Sequence, residues 1–485
     1  MRTLYRILTA AAFLAVAGCC MPGQARAQGT LRVAPPHDLM SCSPAPCVLP
    51  PLQVSEGGYL VNTPSVAADP LNPKHLVLGA NDFNCLQATG PLATYSSRDG
   101  GTTWQGPFCL PEIQQGSKFF VPSVDSAVGY DRNGAGYVAG GYFYRNGGST
   151  TGFVALSKST DGVTWSQPLV ALNVHNSQTA DSRLVVDTNP GSPHMNTLYV
   201  SAVTIGPPGD NSDNQVVVAH SNDGGDSWQQ STPEPVQKYP AADFFTSMTI
   251  GADGTVYLAW LHCIGTGPAA YCANGKAYMV FSKSSDGGHS WSMPRVIATV
   301  MIGNSACHCA FGDLPNTNNV SLTNFPTIGI DNSNGPYAGN LYVVMYSWTG
   351  AYLRVQVVRS TDGGNTWSKP VPVAPPSDTH DQFFPWLSVS PTGLVGVSWL
   401  DRRNDPANIN YQAFAAISAD GGKSFQPNVH LTTAFSDPNV NGYVNNAWMG
   451  DYTGNTWAGS NFVAAWMDSS NGVDMQVMVG GIRLK

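Results

Sequence analysis

Short runs in which apolar residues alternate with polar ones recur along the chain, for example at residues 277–282 and 353–359. Clusters of Gly, Pro, Asn, Asp and Ser separate these runs. A period of two is the pattern of a β-strand with one buried face, and the separating residues are those that favour tight turns. The chain is therefore predicted to consist of many short antiparallel strands.

Six copies of one motif organise this pattern, and they recur about every 60 residues. The motif reads Ser-x-Asp-x-Gly-x-Thr-Trp, with one shortened copy and one copy that ends in Phe425. The Asp carboxylate can accept hydrogen bonds from backbone N–H groups of a turn, and Gly supplies a positive φ. The Trp ring can then pack back across the hairpin. We interpret the motif as a structural turn. The six aspartates are Asp99, Asp161, Asp223, Asp286, Asp362 and Asp420.

A fainter repeat precedes each motif and consists of an apolar strand, a turn and a second strand. Each unit then contains four antiparallel strands, which is the blade of a β-propeller. After the sixth motif, residues 448–453, 462–466 and 475–482 supply three further strands without a fourth. We predict an all-β propeller of seven blades, closed by an N-terminal strand at 30–34 or 48–54. Six blades is the alternative, if the C-terminal strands only complete blade 1.

Composition agrees with this fold class. Charged residues make up 11% of the chain, and it contains 51 Gly and 36 Pro, which excludes a helical bundle. The hydrophobic content of 42% is enough for a packed core. A net charge of −8 argues against nucleic acid or an anionic membrane as the main partner.

The N-terminal residues 1–27 are predicted to be an export signal. Arg2 and Arg6 precede an apolar run at 7–17 that is too short to span a bilayer. Cleavage after Ala27, at an A-x-A site, would leave a single soluble domain at 28–485. The alternative is a lipobox that ends at Cys19, and a lipidated Cys19 would be the means of membrane attachment. Either way the protein is expected in the periplasm or outside the cell.

Eight cysteines follow this signal, an even number that suits disulfides in an oxidising compartment. Local pairs 42–47 and 85–109 are expected, and residues 263, 272, 307 and 309 can form two more. The alternative for the last four is a zinc site with His262 and His308. Because exported thiols are usually oxidised, we predict no metal and no cofactor.

The repeated motif resembles the Asp-box, or BNR repeat, of the sialidase superfamily, and the resemblance covers nearly the whole mature chain. Segments 62–73, 381–386, 399–405 and 450–454 are similar to those of exported bacterial BNR-repeat proteins. The resemblance implies a propeller fold and a glycan or glycoconjugate as partner. It does not define the reaction, because Asp-boxes also occur in lyases, other glycosidases and binding propellers.

The residues of a sialidase mechanism are poorly matched. The family uses three arginines to hold a carboxylate, a Tyr nucleophile activated by Glu, and an Asp acid/base. No arginine stands in the run 62–65, and the three glutamates Glu56, Glu112 and Glu234 are badly placed to activate a tyrosine. We therefore expect no standard sialidase mechanism. An enzyme of this type would be a glycoside hydrolase with carboxylates as acid and base.

The strand order of a blade predicts where a site can lie. The Asp motifs occupy one end, here called the rear, so a pocket would use loops at the opposite end, the front. Two interpretations of this face remain: a carbohydrate-active enzyme, or a non-catalytic propeller that binds glycan or protein. The loop 401–405 could instead be held by internal salt bridges. The candidate catalytic residues are Asp82, Asp401 and Tyr452, and the candidate substrate-binding residues are Arg145, Arg183, Arg402, Arg403, Asp405, His380 and Asp381.

Overall fold

A computed structural model describes residues 32–33, 47–144, 152–173, 178–205, 214–237, 241–264, 272, 275–303, 312–425 and 428–484. These ranges contain short strands and two 3-10 helices, Phe83–Gln87 and Val444–Asn446. None of the helices in them is long and apolar enough to cross a membrane. The strands are β1 (Arg32–Val33), β2 (Cys47–Gln53), β3 (Val61–Ala68), β4 (Leu76–Asp82), β5 (Leu92–Ser97), β6 (Thr103–Cys109), β7 (Ile113–Gln115), β8 (Lys118–Tyr130), β9 (Gly136–Tyr144), β10 (Gly152–Ser159), β11 (Leu169–Leu172), β12 (Gln178–Val186), β13 (Leu198–Ile205), β14 (Gln215–Ser221), β15 (Gln229–Ser231), β16 (Ala241–Ile250), β17 (Val256–Ile264), β18 (Lys276–Ser284), β19 (Arg295–Met301), β20 (Gly312–Asp313), β21 (Ser321–Leu322), β22 (Thr327–Ile330), β23 (Leu341–Trp348), β24 (Leu353–Ser360), β25 (Val371–Pro372), β26 (Gln382–Val389), β27 (Val395–Asp401), β28 (Gln412–Ser418), β29 (Asn428–His430), β30 (Gly454–Ala458), β31 (Asn461–Asp468) and β32 (Gln476–Arg483).

Seven antiparallel sheets form a ring, so the protein is a seven-bladed β-propeller. One strand of each blade lies next to the axis, and these inner strands of consecutive blades pack against each other. They are β3, β8, β12, β16, β22, β26 and β30. A separate two-stranded ribbon, β20–β21, lies before blade 5. From blade 1 to blade 7 the strands, from the inside outward, are β3-β4-β5-β6-β1, β7-β8-β9-β10-β11, β12-β13-β14-β15, β16-β17-β18-β19, β22-β23-β24-β25, β26-β27-β28-β29 and β30-β31-β32-β2; in blade 2, β7 is an added strand on the inner side of β8.

The ring closes through the N-terminal strand β2, which pairs with β32 as the outer strand of blade 7. We call this contact between the N-terminal segment and β32 the seam of the ring. Two hydrogen bonds continue it: Val54 N–H donates to the Val477 carbonyl at 2.9 Å, and Ser55 Oγ donates to Gln476 Oε1 at 2.7 Å. The prediction of closure by residues 48–54 is confirmed. The alternative at 30–34 is wrong, because β1 pairs with β6 at the outer edge of blade 1. The six-blade alternative is wrong as well.

The predicted strand at 448–453 is also wrong, because the first strand of blade 7 begins at Gly454. Residues 448–453 form the loop before it. There the indole of Trp448 donates to Asp451, and the Asp451 N–H donates to Thr63 Oγ1 in blade 1. These polar contacts take the place of a strand ladder, and they bring Asp451 to the axis.

The six Asp motifs form the turns between the third and fourth strands, as predicted. In the first copy, Asp99 Oδ1 accepts hydrogen bonds from the N–H groups of Thr102 and Thr103 at 3.0 and 2.9 Å. Gly101 has a φ of 92°, and the indole of Trp104 donates to its carbonyl. The motif is therefore a hydrogen-bonded turn at the rear of blades 1 to 6.

Two disulfides have both cysteines within the described residues, Cys85–Cys109 and Cys263–Cys272. The first confirms the predicted local pair. The second consumes two thiols of the alternative zinc site, which is therefore wrong. The described residues contain no cluster of three or more His, Cys, Asp or Glu side chains that could hold a metal. Cys42, Cys307 and Cys309 lie outside the described ranges.

The inner strands of five blades share a β-bulge near the front. At each bulge the pairing register shifts and one residue adopts a left-handed conformation, with φ between 47° and 62°. A bulge of this kind turns a side chain away from its regular direction and is common beside functional sites. The left-handed residues are Thr63, Asp125, Asp181, Phe245 and Phe384.

Candidate functional site

Three carboxyl groups meet on the propeller axis: Asp125 and Asp181 from the bulges of blades 2 and 3, and Asp451 from the loop before blade 7. The N–H of Asp181 donates to Asp125 Oδ2 at 3.0 Å, and the N–H of Phe245 donates to Asp181 Oδ2 at 3.3 Å. The indole of Trp448 donates to Asp451 Oδ1 at 3.0 Å. Asp181 and Asp451 are partly exposed, so the axial cluster Asp125/Asp181/Asp451 opens towards solvent.

Arg183 supplies the positive charge beside this cluster. Its guanidinium carbon lies 3.8 Å from the ring centroid of Tyr452, 4.3 Å from that of Phe325 and 5.5 Å from that of Trp386. Nη1 donates to the Ser182 carbonyl, whereas Nε and Nη2 are buried and find no acceptor among the described residues. The side chain is only 6% exposed. The guanidinium is thus enclosed by aromatic rings rather than presented to a ligand.

Two residues that were predicted separately, Arg183 as a substrate-binding candidate and Tyr452 as a catalytic one, are therefore in contact. Tyr452 is buried, and its hydroxyl donates to the Ser126 carbonyl at 3.1 Å. Burial raises the pKa of Tyr452 well above its usual value, although Arg183 acts in the opposite direction. The phenol therefore stays protonated at neutral pH, and its hydroxyl links blade 7 to blade 2. A role as nucleophile stays a prediction.

The axial carboxyls cannot all ionise at ordinary pH. Burial is the main cause that raises the pKa of Asp451 to about 7, and the neighbouring Asp125 adds to it. Burial, followed by the charge of Asp125, raises the pKa of Asp181 well above its usual range. Burial also raises the pKa of Asp125, and Arg183 only partly offsets it. The cluster therefore shares protons and offers both an acid and a base near neutral pH.

An aromatic group stands beside this cluster at the front. The rings of Phe83, Tyr443 and Trp448 meet edge to face, with centroids 5.1 to 6.5 Å apart. All three side chains are half-buried, so each keeps an exposed part. Phe83 follows the second strand of blade 1, while the other two precede blade 7. Because Trp448 also hydrogen-bonds Asp451, this aromatic trio and the axial cluster form one surface.

Arg402 and Asp381 form a fully buried ion pair in blade 6, with 3.1 Å between Nη1 and Oδ2. Asp381 also accepts hydrogen bonds from Leu353 N–H and Asn408 Nδ2, both at 2.8 Å. Arg402 Nη1 donates further to the Pro315 carbonyl at 2.7 Å. These contacts fix the front loop of blade 6, and neither charge reaches solvent.

Arg403 and Asp401 make a second internal pair, with 2.5 Å between Nη2 and Oδ2. The indole of Trp399 donates to the same oxygen at 2.7 Å, and Arg403 Nε lies 3.1 Å from Asp378 Oδ2. His380 contacts the other oxygen of Asp378 at 3.2 Å and keeps about a third of its side chain exposed. The alternative reading of residues 401–405, a loop held by internal salt bridges, describes this arrangement.

The remaining predicted residues lie apart from the axis. Asp405 accepts hydrogen bonds from the N–H groups of Ala407, Ile409 and Asn410 within its own loop. Asp82 accepts from the Tyr95 hydroxyl at 2.5 Å and caps the helix that begins at Phe83. No contact within the described ranges joins Asp82 to Asp401, and chemical roles for both stay predictions. Arg145 lies outside those ranges.

Sequence reasoning missed Asp125, Asp181 and Asp451 as a group. A signal was available, because Val124-Asp125-Ser126 and Ala180-Asp181-Ser182 occupy the same position in neighbouring inner strands. Aligning the first strands of the blades, rather than their Asp motifs, would have placed both aspartates at one level of the axis.

Comparison with known proteins identifies the fold but not a family. No family model and no curated protein matches the chain. Among solved structures, a polysaccharide lyase described as an ulvan lyase is 12% identical, with a TM-score of 0.50 over 90% of this chain and 95% of that chain. A protein of unknown function from Dyadobacter fermentans is 14% identical, with a TM-score of 0.48 over 91% and 100%. An intramolecular trans-sialidase from Ruminococcus gnavus is 14% identical, with a TM-score of 0.46 over 76% and 96%. At these identities the likeness concerns the fold alone.

Proposed function

We propose that this protein is an exported sialidase-like propeller that recognises carbohydrate at the front opening of its axis. One observation carries the proposal: the half-exposed indole of Trp448 hydrogen-bonds Asp451, which joins an aromatic surface to the axial carboxyls. Sugars are bound by rings that stack on their C–H faces together with carboxylates that accept from their hydroxyls. The ulvan lyase of similar fold is described as a polysaccharide lyase, and this supports a glycan as the ligand of the present protein.

The axial cluster also has the groups that cleavage of a glycan needs. Glycosidic bond cleavage uses one protonated and one ionised carboxyl on either side of the bond. Burial raises the pKa of Asp451 to about 7 and that of Asp181 well above its usual range, so protonated and ionised carboxyls can coexist here near neutral pH. We therefore propose hydrolysis of a bound glycan as the activity. His380 and Arg403, partly exposed in blade 6, would contact outer sugar units.

The alternative is a propeller that binds glycan without turnover. Its support is the enclosure of Arg183 and Tyr452, two groups that a sialidase would present to its substrate. Export rests on the signal at 1–27, and two disulfides suit an oxidising compartment. Attachment through a lipidated Cys19 remains the other mode of export.

The test is a polysaccharide screen of the mature protein, with binding and release of reducing ends measured in parallel. Asp451→Asn should abolish turnover, and Trp448→Ala should weaken binding at least tenfold. Asp226→Asn, an exposed carboxylate at the rear, is the matched control and should change neither. Thermal unfolding checks that each variant folds. Binding without turnover supports the alternative, and binding that survives both front substitutions would contradict this site.

A further inference from the structure

We propose that the axial opening selects glycans whose sugar beside Asp181 and Asp451 carries no carboxylate. This inference rests on the proposed function, because it names the class of sugar that the same site would accept. It departs from a sialidase, which holds its substrate by a carboxylate.

The first argument is the sign of the charge on the groups that a ligand would meet first. Asp181 and Asp451 are partly exposed at the opening, whereas Arg183, the cation that stabilises them, is 94% buried. A sugar carboxylate would therefore approach two carboxyl groups before any positive charge. Like charges brought together in a poorly solvated site repel each other, or one of them must take up a proton.

The second argument is that Arg183 cannot be recruited as a carboxylate grip. Tyr452 and Phe325 lie against its guanidinium, and Nη1 is held by the Ser182 carbonyl. Nε and Nη2 are buried and find no acceptor among the described residues, so the guanidinium is not presented to a ligand in this arrangement. Arg402 is also unavailable, because it is buried against Asp381.

The third argument is that neutral sugars match the acceptors that remain. The described donors use Oδ2 of Asp181 and Oδ1 of Asp451, which leaves the opposite oxygen of each of these two partly exposed carboxyls for a ligand. Sugar hydroxyls donate to such oxygens without adding charge. The aromatic trio next to Asp451 provides the apolar surface on which a sugar ring can stack.

The experiment uses matched pairs of ligands on the mature protein. The neutral oligosaccharide that binds best in a glycan array is compared, by calorimetry at pH 7.5, with the same oligosaccharide oxidised at its primary hydroxyl to the uronate. We expect oxidation to weaken binding at least tenfold. The double variant Asp181→Asn/Asp451→Asn should reduce this discrimination to about twofold, while Asp226→Asn should retain it.

A pH series supplies a second readout. At pH 5, below the pKa of about 7 that burial gives Asp451, this carboxyl takes up a proton beside Asp125, Asp181 and Arg183. The uronate stays ionised at this pH, so the discrimination should shrink. Equal or tighter binding of the uronate at pH 7.5 would overturn the inference and leave the proposed function standing. Failure of every neutral and acidic glycan to bind would overturn both.

Discussion

The backbone N–H of Asp181 donates a hydrogen bond to the Asp125 carboxyl at 3.0 Å, across the boundary between blades 2 and 3. Both residues adopt left-handed conformations in bulges of the inner strands. Blades 3 and 4 repeat the contact, because Phe245 N–H donates to the Asp181 carboxyl. The groups that form the candidate site therefore also hold neighbouring blades together, and site and scaffold are coupled.

Substitution of Asp125 should separate its two roles. Asp125→Asn keeps an acceptor oxygen and a residue type that tolerates positive φ, so it should cost less than about 1 kcal/mol of unfolding free energy. Asp125→Val removes the acceptor and places a β-branched residue at a φ of 62°, which should cost about 2–4 kcal/mol. Urea unfolding measures both values. Equal losses in the two variants would contradict the bond to Asp181.

Stability should fall as the pH rises from 7 to 9, because of a buried acid pair between blades 3 and 4. Glu234 hydrogen-bonds Asp243, and burial and this neighbour raise the pKa of Glu234. Stability from a carboxyl with a raised pKa is complete below its unfolded pKa and is lost as the pH rises through its folded pKa. Burial lowers the pKa of His262, which contacts Asp243, so its titration lies below this range.

The measurement for this pair is the unfolding temperature at pH 7, 8 and 9. In Glu234→Gln the side chain stays neutral and can still donate to Asp243, so the decline with pH should flatten. Asp226→Asn is the control and should keep the slope of the native chain. The same slope in Glu234→Gln would show that Glu234 does not hold a proton in the fold.

The Asp motifs should make the protein sensitive to acid. Hydrogen bonds from Ser227 and Thr366 lower the pKa of Asp223 and Asp362, respectively, to about 2. A carboxyl with a depressed pKa stabilises the fold above its unfolded pKa, near 4, and this contribution is lost as the pH falls towards 2. Asp362→Asn should therefore lower the unfolding temperature at pH 7, with the difference from the native chain shrinking between pH 4 and 2. A constant difference over this range would contradict the prediction.

Truncation tests the seam of the ring. A chain that begins at residue 42 keeps β2 and the expected pair of Cys42 and Cys47, and among the described strands it lacks only the two-residue β1. It should unfold at nearly the temperature of the mature protein. A chain that begins at residue 54 lacks β2, which leaves the edge of β32 unpaired and the core of blade 7 open to water. It should aggregate or unfold at least 10 °C lower, as measured by scanning calorimetry and size exclusion. Similar stability of the two chains would contradict closure by β2.

The fold could be predicted from sequence because its signals are local. The Asp of each motif accepts hydrogen bonds from its own turn, and alternation marks the strands, so the runs at 277–282 and 353–359 both lie within observed strands. Closure of the ring by an N-terminal strand could be predicted from a count of the strands, because the last blade lacked a fourth. The error at 448–453 arose where an apolar run is shaped by contacts with another blade, at Thr63.

The candidate site could not be predicted to the same degree, because its contacts are long-range. Asp125 and Asp181 are 56 residues apart in sequence, and only the ring brings them together. A sequence shows that Arg402 and Asp401 are charged, but not whether their partners are solvent, substrate or each other. In the structure both are buried in ion pairs, and the guanidinium of Arg183 is enclosed by aromatic rings.

The pairing of β2 with β32 has a consequence for the order of events during folding. Ser55 and Gln476 are 421 residues apart, so blade 7 can be completed only after the polypeptide has been synthesised almost to its last strand. The entropy of closing so long a loop grows slowly with length, so the delay is mainly kinetic. Until β32 is available, six blades can fold while blade 7 keeps an unpaired strand edge. This incomplete propeller is the species that chaperones or proteases would encounter.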